Sequence, residues 1–130
     1  MAETAAKIHE VAAKHGIVMT AYGHCGSGCM HTKILMDTTK PAQWESAKKA
    51  VAEIYEFVHS VGGTTSAEHG IGLSKAPAFQ KEKQASLDLM RAVKRAFDPK
   101  NILNPGKLMD APDDWTTATK LRYCRTGDHD

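Results

Sequence analysis

The chain has no run of about 18 apolar residues, so it offers no transmembrane helix. Its first turns alternate Ala, Lys, Glu and His without an apolar stretch, and no secretory signal is expected. A G-x-x-x-x-G-K-[ST] phosphate loop is missing, as is a G-x-S-x-G nucleophile elbow. Gly70-Ile71-Gly72 lacks the third glycine of a dinucleotide fingerprint. Cysteine is scarce and odd in number: Cys25, Cys29 and Cys124. A disulfide framework is therefore not expected, and the reading is a reducing, cytoplasmic compartment. A net charge of +2 is too small to point to nucleic acid.

What is present describes an ordinary globular chain. At 130 residues, 42% hydrophobic and 25% charged, it suits one domain with a real core but no separate cofactor domain. Charge is uneven: Lys75 to Lys107 holds eight Lys or Arg against Glu82, Asp88 and Asp98. A solvated helix face is the favoured explanation, ahead of a docking surface.

Periodicity organises the chain. Residues 3–15 read as a helix with Ala5, Ile8, Val11 and Ala12 on one face, closed by Gly16. Ile17–Gly23 and His31–Asp37 read as antiparallel strands around a glycine-bearing turn. Side-chain parity puts Thr20, Tyr22 and His24 on one face of the first strand, and His31, Lys33 and Leu35 on one face of the second. Pro41–Val61 is the strongest helix, with Trp44, Ala47, Val51, Ile54, Val58 and Val61 in one stripe; His59 lies off it. Thr64-Thr65-Ser66 is expected as a short strand. A last helix is expected from Lys81 to Phe97, with Leu87, Met90, Val93 and Phe97 inward. The pattern predicts an α+β fold: an antiparallel sheet covered by helices, in a partial ferredoxin-like arrangement short of at least one strand. Residues 1–108 form the expected domain, and 109–130 a tail or partner-binding extension.

Chemistry concentrates on two glycine-rich turns. Gly23-His24-Cys25-Gly26-Ser27-Gly28-Cys29-Met30-His31 brings two imidazoles seven residues apart, and Glu68-His69-Gly70 adds a carboxylate and a third imidazole. His24, His31 and Glu68 make a His₂-carboxylate set suited to Zn²⁺, Mn²⁺ or Fe²⁺, with a coordination position left for substrate. His69 is the candidate general acid/base. Against this stands the ordinary role of such histidines as hydrogen-bonding turn residues. A rival closed Cys₂His₂ zinc site of His24, Cys25, Cys29 and His31 ranks lower, because adjacent ligands converge poorly on a tetrahedron.

The same residues carry a family resemblance. The segment from Gly23 to His31, followed by Asp37, resembles G-H-x-G-D-G-N-x-H…D. Gly62-Gly63-Thr64-Thr65-Ser66-Ala67-Glu68-His69-Gly70-Ile71-Gly72 resembles G-G-T-x-S-G-E-H-G-I-G. Asp98-Pro99-Lys100-Asn101-Ile102-Leu103-Asn104-Pro105-Gly106-Lys107 resembles D-P-x-x-I-L-N-P-G-K. These are motifs of the C-terminal domain of FAD-linked oxidases, a group with glycolate oxidase D-subunits, D-lactate dehydrogenases and D-2-hydroxyglutarate dehydrogenases.

The resemblance implies oxidation of a small D-2-hydroxy acid, with FAD accepting a hydride. It implies a divalent metal on His24, His31 and Glu68, and His69 as base. Ser27, Cys29 and Ala67 replace the family's Asp, Asn and Gly, and Lys33 stands where many members have Asn, facing the substrate carboxylate. The family's FAD-binding domain does not fit in this length, so FAD is expected to be held by another domain or subunit. The chain is then a split subunit, a fragment or a remnant, inactive alone. An iron–sulfur electron-transfer subunit is a further implied partner, and an open sheet edge allows a homo-oligomer. The alternative is a non-catalytic metal-binding or assembly module descended from the enzyme.

Overall fold

The computed structural model describes residues 1–113, and the greater part of the expected tail, with Cys124, lies outside them. The chain divides into two compact units, Met1–Thr64 and Thr65 onward. Together they form an α+β fold, and no helix among the described residues is long and apolar enough to cross a membrane.

The first unit is helix, hairpin, helix: α1 (Ala2–His15), β1 (Val18–His24), β2 (Cys29–Leu35) and α2 (Pro41–Ser60). This is the order of a ferredoxin-like unit without its outer strands. Helix α1 ends because Gly16 takes a left-handed φ of 63° that a side chain resists. Its N–H reaches Ala13 O and that of Ile17 reaches Ala12 O, a Schellman pair that turns the chain into β1. Pro41 opens α2, where its missing N–H costs nothing. Just ahead of it, Asp37 Oδ1 accepts hydrogen bonds from Thr39 N and Oγ1, shaping the entry turn.

The hairpin register decides which residues are structural and which are available. Tyr22 pairs with His31, Thr20 with Lys33 and His24 with Cys29. Because strand side chains alternate, Met19, Ala21, Met30 and Ile34 share the opposite face. That face packs on Ile8, Val11 and Ala12 of α1 and Ala50 and Ile54 of α2. Each fully buried aliphatic side chain stabilises the unit by about 1.5–3 kcal/mol. Both helices therefore cover one side of the hairpin, and the other carries the histidines.

The second unit holds α3 (Ala76–Glu82) and α4 (Leu87–Phe97), with a smaller core of Ile71, Ala76, Phe79 and Ala111. The loop after α4 is organised by one carboxylate. Buried Asp98 accepts hydrogen bonds from Ile102 N and Leu103 N and pairs with Lys94, whose Nζ also donates to Leu103 O. Those partners, Lys94 first, hold the Asp98 carboxyl below its usual range. Asn101 and Asn104 take left-handed φ values of 51° and 50°, which Asn tolerates best among residues with a side chain. The next segment is clipped by Gln80 Nε2, which donates to Leu108 O and Ala111 O. Packing in this unit thus continues to Ala111.

Four expectations are corrected. Thr64-Thr65-Ser66 is not a strand: buried Thr65 donates its N–H to Glu82 Oε2 at 2.8 Å, a helix side chain in place of a ladder partner. The helix expected from Lys81 is two, because α3 begins earlier and a 3₁₀ turn, Gln84–Ser86, separates it from α4. Leu87 and Met90 do pack on the core, but Val93 is exposed and Phe97 is 84% exposed. In α2, buried Ala50 joins Trp44, Ala47 and Ile54, while Val61 is exposed beyond the helix end.

Candidate metal centre

The hairpin end nearest the turn holds the first two candidate ligands. His24 closes β1, His31 lies on β2, and their imidazole centroids are 5.5 Å apart with the rings perpendicular. Imidazoles sharing a tetrahedral ion at about 2.0–2.1 Å per nitrogen have ring centres about 5 Å apart, so the pair fits one cation. The two residues are diagonal neighbours on one face, which is why their rings meet.

Local backbone chemistry fixes this pair. Gly23 lies opposite Met30, and a Cβ there would meet Cys29 O at 2.2 Å, so only glycine allows the strands to approach this closely. The turn is a 3₁₀ segment, Cys25–Ser27, closed by Gly28 at φ 70°. Within it, Ser27 Oγ donates to His24 O at 3.1 Å, so this hydroxyl ties the turn to the backbone of the first candidate ligand. His24 is exposed and His31 half-buried, a placement open to a small substrate.

Lys33 sits two residues beyond His31 on the same face, its Nζ 5.8 Å from the centre of the Tyr22 ring. Tyr22 in turn packs 5.2 Å from His31. The outer face therefore reads, along the hairpin, His24, His31, Tyr22, Lys33: two metal-type donors, an aromatic spacer and a cation. In the sequence, parity with His24 is the signal that locates Tyr22 on this face.

Glu68 and His69 occupy a separate turn in the second unit. Gly70 N–H donates to Ala67 O, and Gly70 and Gly72 both take positive φ, which makes the bend sharp. Glu68 Oε1 and His69 Nε2 are 3.4 Å apart, and both side chains are well exposed. A carboxylate and an imidazole side by side offer one oxygen donor and one proton acceptor. The rival zinc site gains no matched thiol pair: Cys25 is exposed in the 3₁₀ turn, whereas Cys29 is half-buried on the strand.

Comparison with known proteins places the chain in a family. Residues 1–108 match the C-terminal domain of FAD-linked oxidases. The chain is 43% identical over 102 residues to a glycolate oxidase subunit of Bacillus subtilis, covering 78% of this chain and 22% of that protein. It is 36% identical over 113 residues to a D-lactate dehydrogenase of Archaeoglobus fulgidus, covering 84% of this chain and 24% of that one. A D-2-hydroxyglutarate dehydrogenase of Xanthomonas citri is 35% identical over 116 residues, 87% of this chain and 24% of its own. The chain thus spans under a quarter of the length of these relatives, within their C-terminal part.

Proposed function

The chain belongs to the FAD-linked oxidases, whose C-terminal domain it carries, and on that premise we propose that it supplies the substrate- and metal-binding half of an FAD-dependent D-2-hydroxy acid dehydrogenase of the glycolate or D-lactate type. The observation that supports this most directly is the His24–His31 pair, set at a spacing one cation can share. His24, His31 and Glu68 are the residues that would hold a divalent Zn, Mn or Fe ion. When bound, such an ion polarises the substrate hydroxyl and lowers its pKa.

The remaining work falls to this chain's own side chains. Oxidation of a 2-hydroxy acid to a 2-oxo acid releases one hydride from C2 and one proton from the hydroxyl. His69 takes that proton at a ring nitrogen. Lys33 pairs with the substrate carboxylate, and Tyr22 holds the His31 ring against rotation. FAD, held by a separate FAD-binding domain or subunit, would supply the hydride acceptor, with an iron–sulfur subunit as onward electron carrier.

Metal content of the purified chain, measured by mass spectrometry beside His24→Ala/His31→Ala, tests the reading. About one transition metal per chain, lost in the variant, is expected. FAD added to this chain alone should show no stoichiometric binding; a stable 1:1 flavin complex would overturn the assignment of FAD to another part.

A second reading, a metal-binding module without the reaction, draws on the Ser27, Cys29 and Lys33 departures. Turnover of glycolate or D-lactate after addition of an FAD-binding half excludes it.

A further inference from the structure

Helix α4 turns one apolar row away from its own core. Leu87 and Met90 pack on that core, whereas Leu89, Val93 and Phe97, spaced by four, share another face that solvent reaches. Ile102 and Leu103, in the loop that follows, are solvated as well, and the five side chains are between 51% and 84% exposed. The loop is built to hold them there. Asp98 accepts both of their backbone N–H groups, and Lys94 Nζ donates to Leu103 O, so the loop is tied to the last turn of α4. Asn101 and Asn104 take left-handed backbone on either side of the pair. A buried carboxylate thus orders a segment whose aliphatic side chains stay in water. Single exposed apolar residues need no explanation, but a helix row followed by an ordered aliphatic loop is the form a docking surface takes.

The occupant follows from length. More than three quarters of each relative lies outside the part matched here, which sits at their C-terminal end. The resemblance assigns FAD binding to that remainder. We propose that Leu89, Val93 and Phe97 of α4, with Ile102 and Leu103, form the surface on which the FAD-binding part of the enzyme docks, an apolar groove of that part receiving the helix row. The surface serves equally whether that part belongs to another chain or to the same one. The inference rests on the reading above and adds where the two halves meet. Helix α4 belongs to the compact unit that carries Glu68 and His69, so docking through it sets the candidate base relative to the flavin.

The probe is the part of the Bacillus subtilis relative that precedes its matched segment, recovered with bound FAD and mixed with the full chain. Sedimentation velocity at the flavin absorbance reads the complex. Wild type should form it 1:1. Leu89→Ser/Phe97→Ser and Ile102→Ser/Leu103→Ser should each weaken it by about tenfold or more, because a few apolar anchors dominate such contacts. Val61→Ser, at an exposed apolar residue outside the row, should leave it unchanged. All these side chains are already solvated, so each variant should keep its fold, and circular dichroism with urea midpoints checks this. If a double variant misfolds, Phe97→Ser alone decides by the same reading. A complex that survives the α4 and loop variants overturns the surface and leaves the assignment of FAD to another part standing. No complex with wild type overturns both. Self-association of wild type that Phe97→Ser abolishes gives the row to a second copy of the chain and overturns the proposal.

Discussion

Helices α2 and α4 carry apolar stripes of similar periodicity and meet opposite fates. On α2, Trp44, Ala47, Ala50 and Ile54 are buried, and Ile54 belongs to the core under the hairpin. On α4 no residue is buried, and Leu89 and Phe97 are 71% and 84% exposed. The difference is in what each packs against. Helix α2 has a whole hairpin face and α1 beside it, whereas the second unit's core is four buried residues, two of them alanines. An amphipathic pattern therefore states that a helix has an apolar side; burial depends on whether the unit supplies a surface of matching size.

The contrast can be broken or sharpened by substitution. The largest effect should come from Ile54→Ala, which empties part of the α2 core and should cost about 2–5 kcal/mol in urea unfolding. Next is Gly23→Ala: its Cβ has backbone at 2.2 Å, and overpacking of this kind costs about 1–3 kcal/mol. The same variant should weaken metal binding by splaying His24 from His31, read by calorimetric titration.

A smaller effect involves the clamp between α1 and α2. Glu53 accepts hydrogen bonds from Lys14 and from His15, with Lys7 nearby, and these hold its carboxyl down to about 2 from an ordinary 4.5. A depressed carboxyl stabilises the fold above the unfolded value and loses that contribution as pH falls from 4.5 toward 2. Glu53→Gln should thus be less stable than wild type at neutral pH, the gap closing in acid. Unfolding midpoints across that range measure it; a gap independent of pH would discard the clamp. The smallest effect is Phe97→Ala on α4, within about 0.5 kcal/mol because the side chain is already solvated. A loss comparable to Ile54→Ala would erase the contrast between the helices.

Much of this was legible in sequence for identifiable reasons. Gly16, Pro41 and the Gly62-Gly63 pair punctuate α1 and α2 through local backbone chemistry, so those elements fell within a residue or two. Parity alone put His24, His31 and Lys33 on strand faces that the ladder unites. Thr65 escaped because its partner, Glu82, is distant in sequence, and a β-branched run looks the same with or without a strand beside it. Beginning the second strand at His31 instead of Cys29 hid Cys29 from the ladder. The solvated Phe97 escaped because periodicity carries no information about the size of the opposing core.

The pleat of the hairpin has one more consequence. Moving β2 by a single position would turn His31 and Lys33 toward the helices and expel Met30 and Ile34 into water. Along β2 the outward His31 and Lys33 and the core-facing Met30 and Ile34 are thus written in the same alternating line of residues, one on odd beats and one on even. The hairpin cannot drift out of the register that pairs its histidines without also forfeiting its foundation.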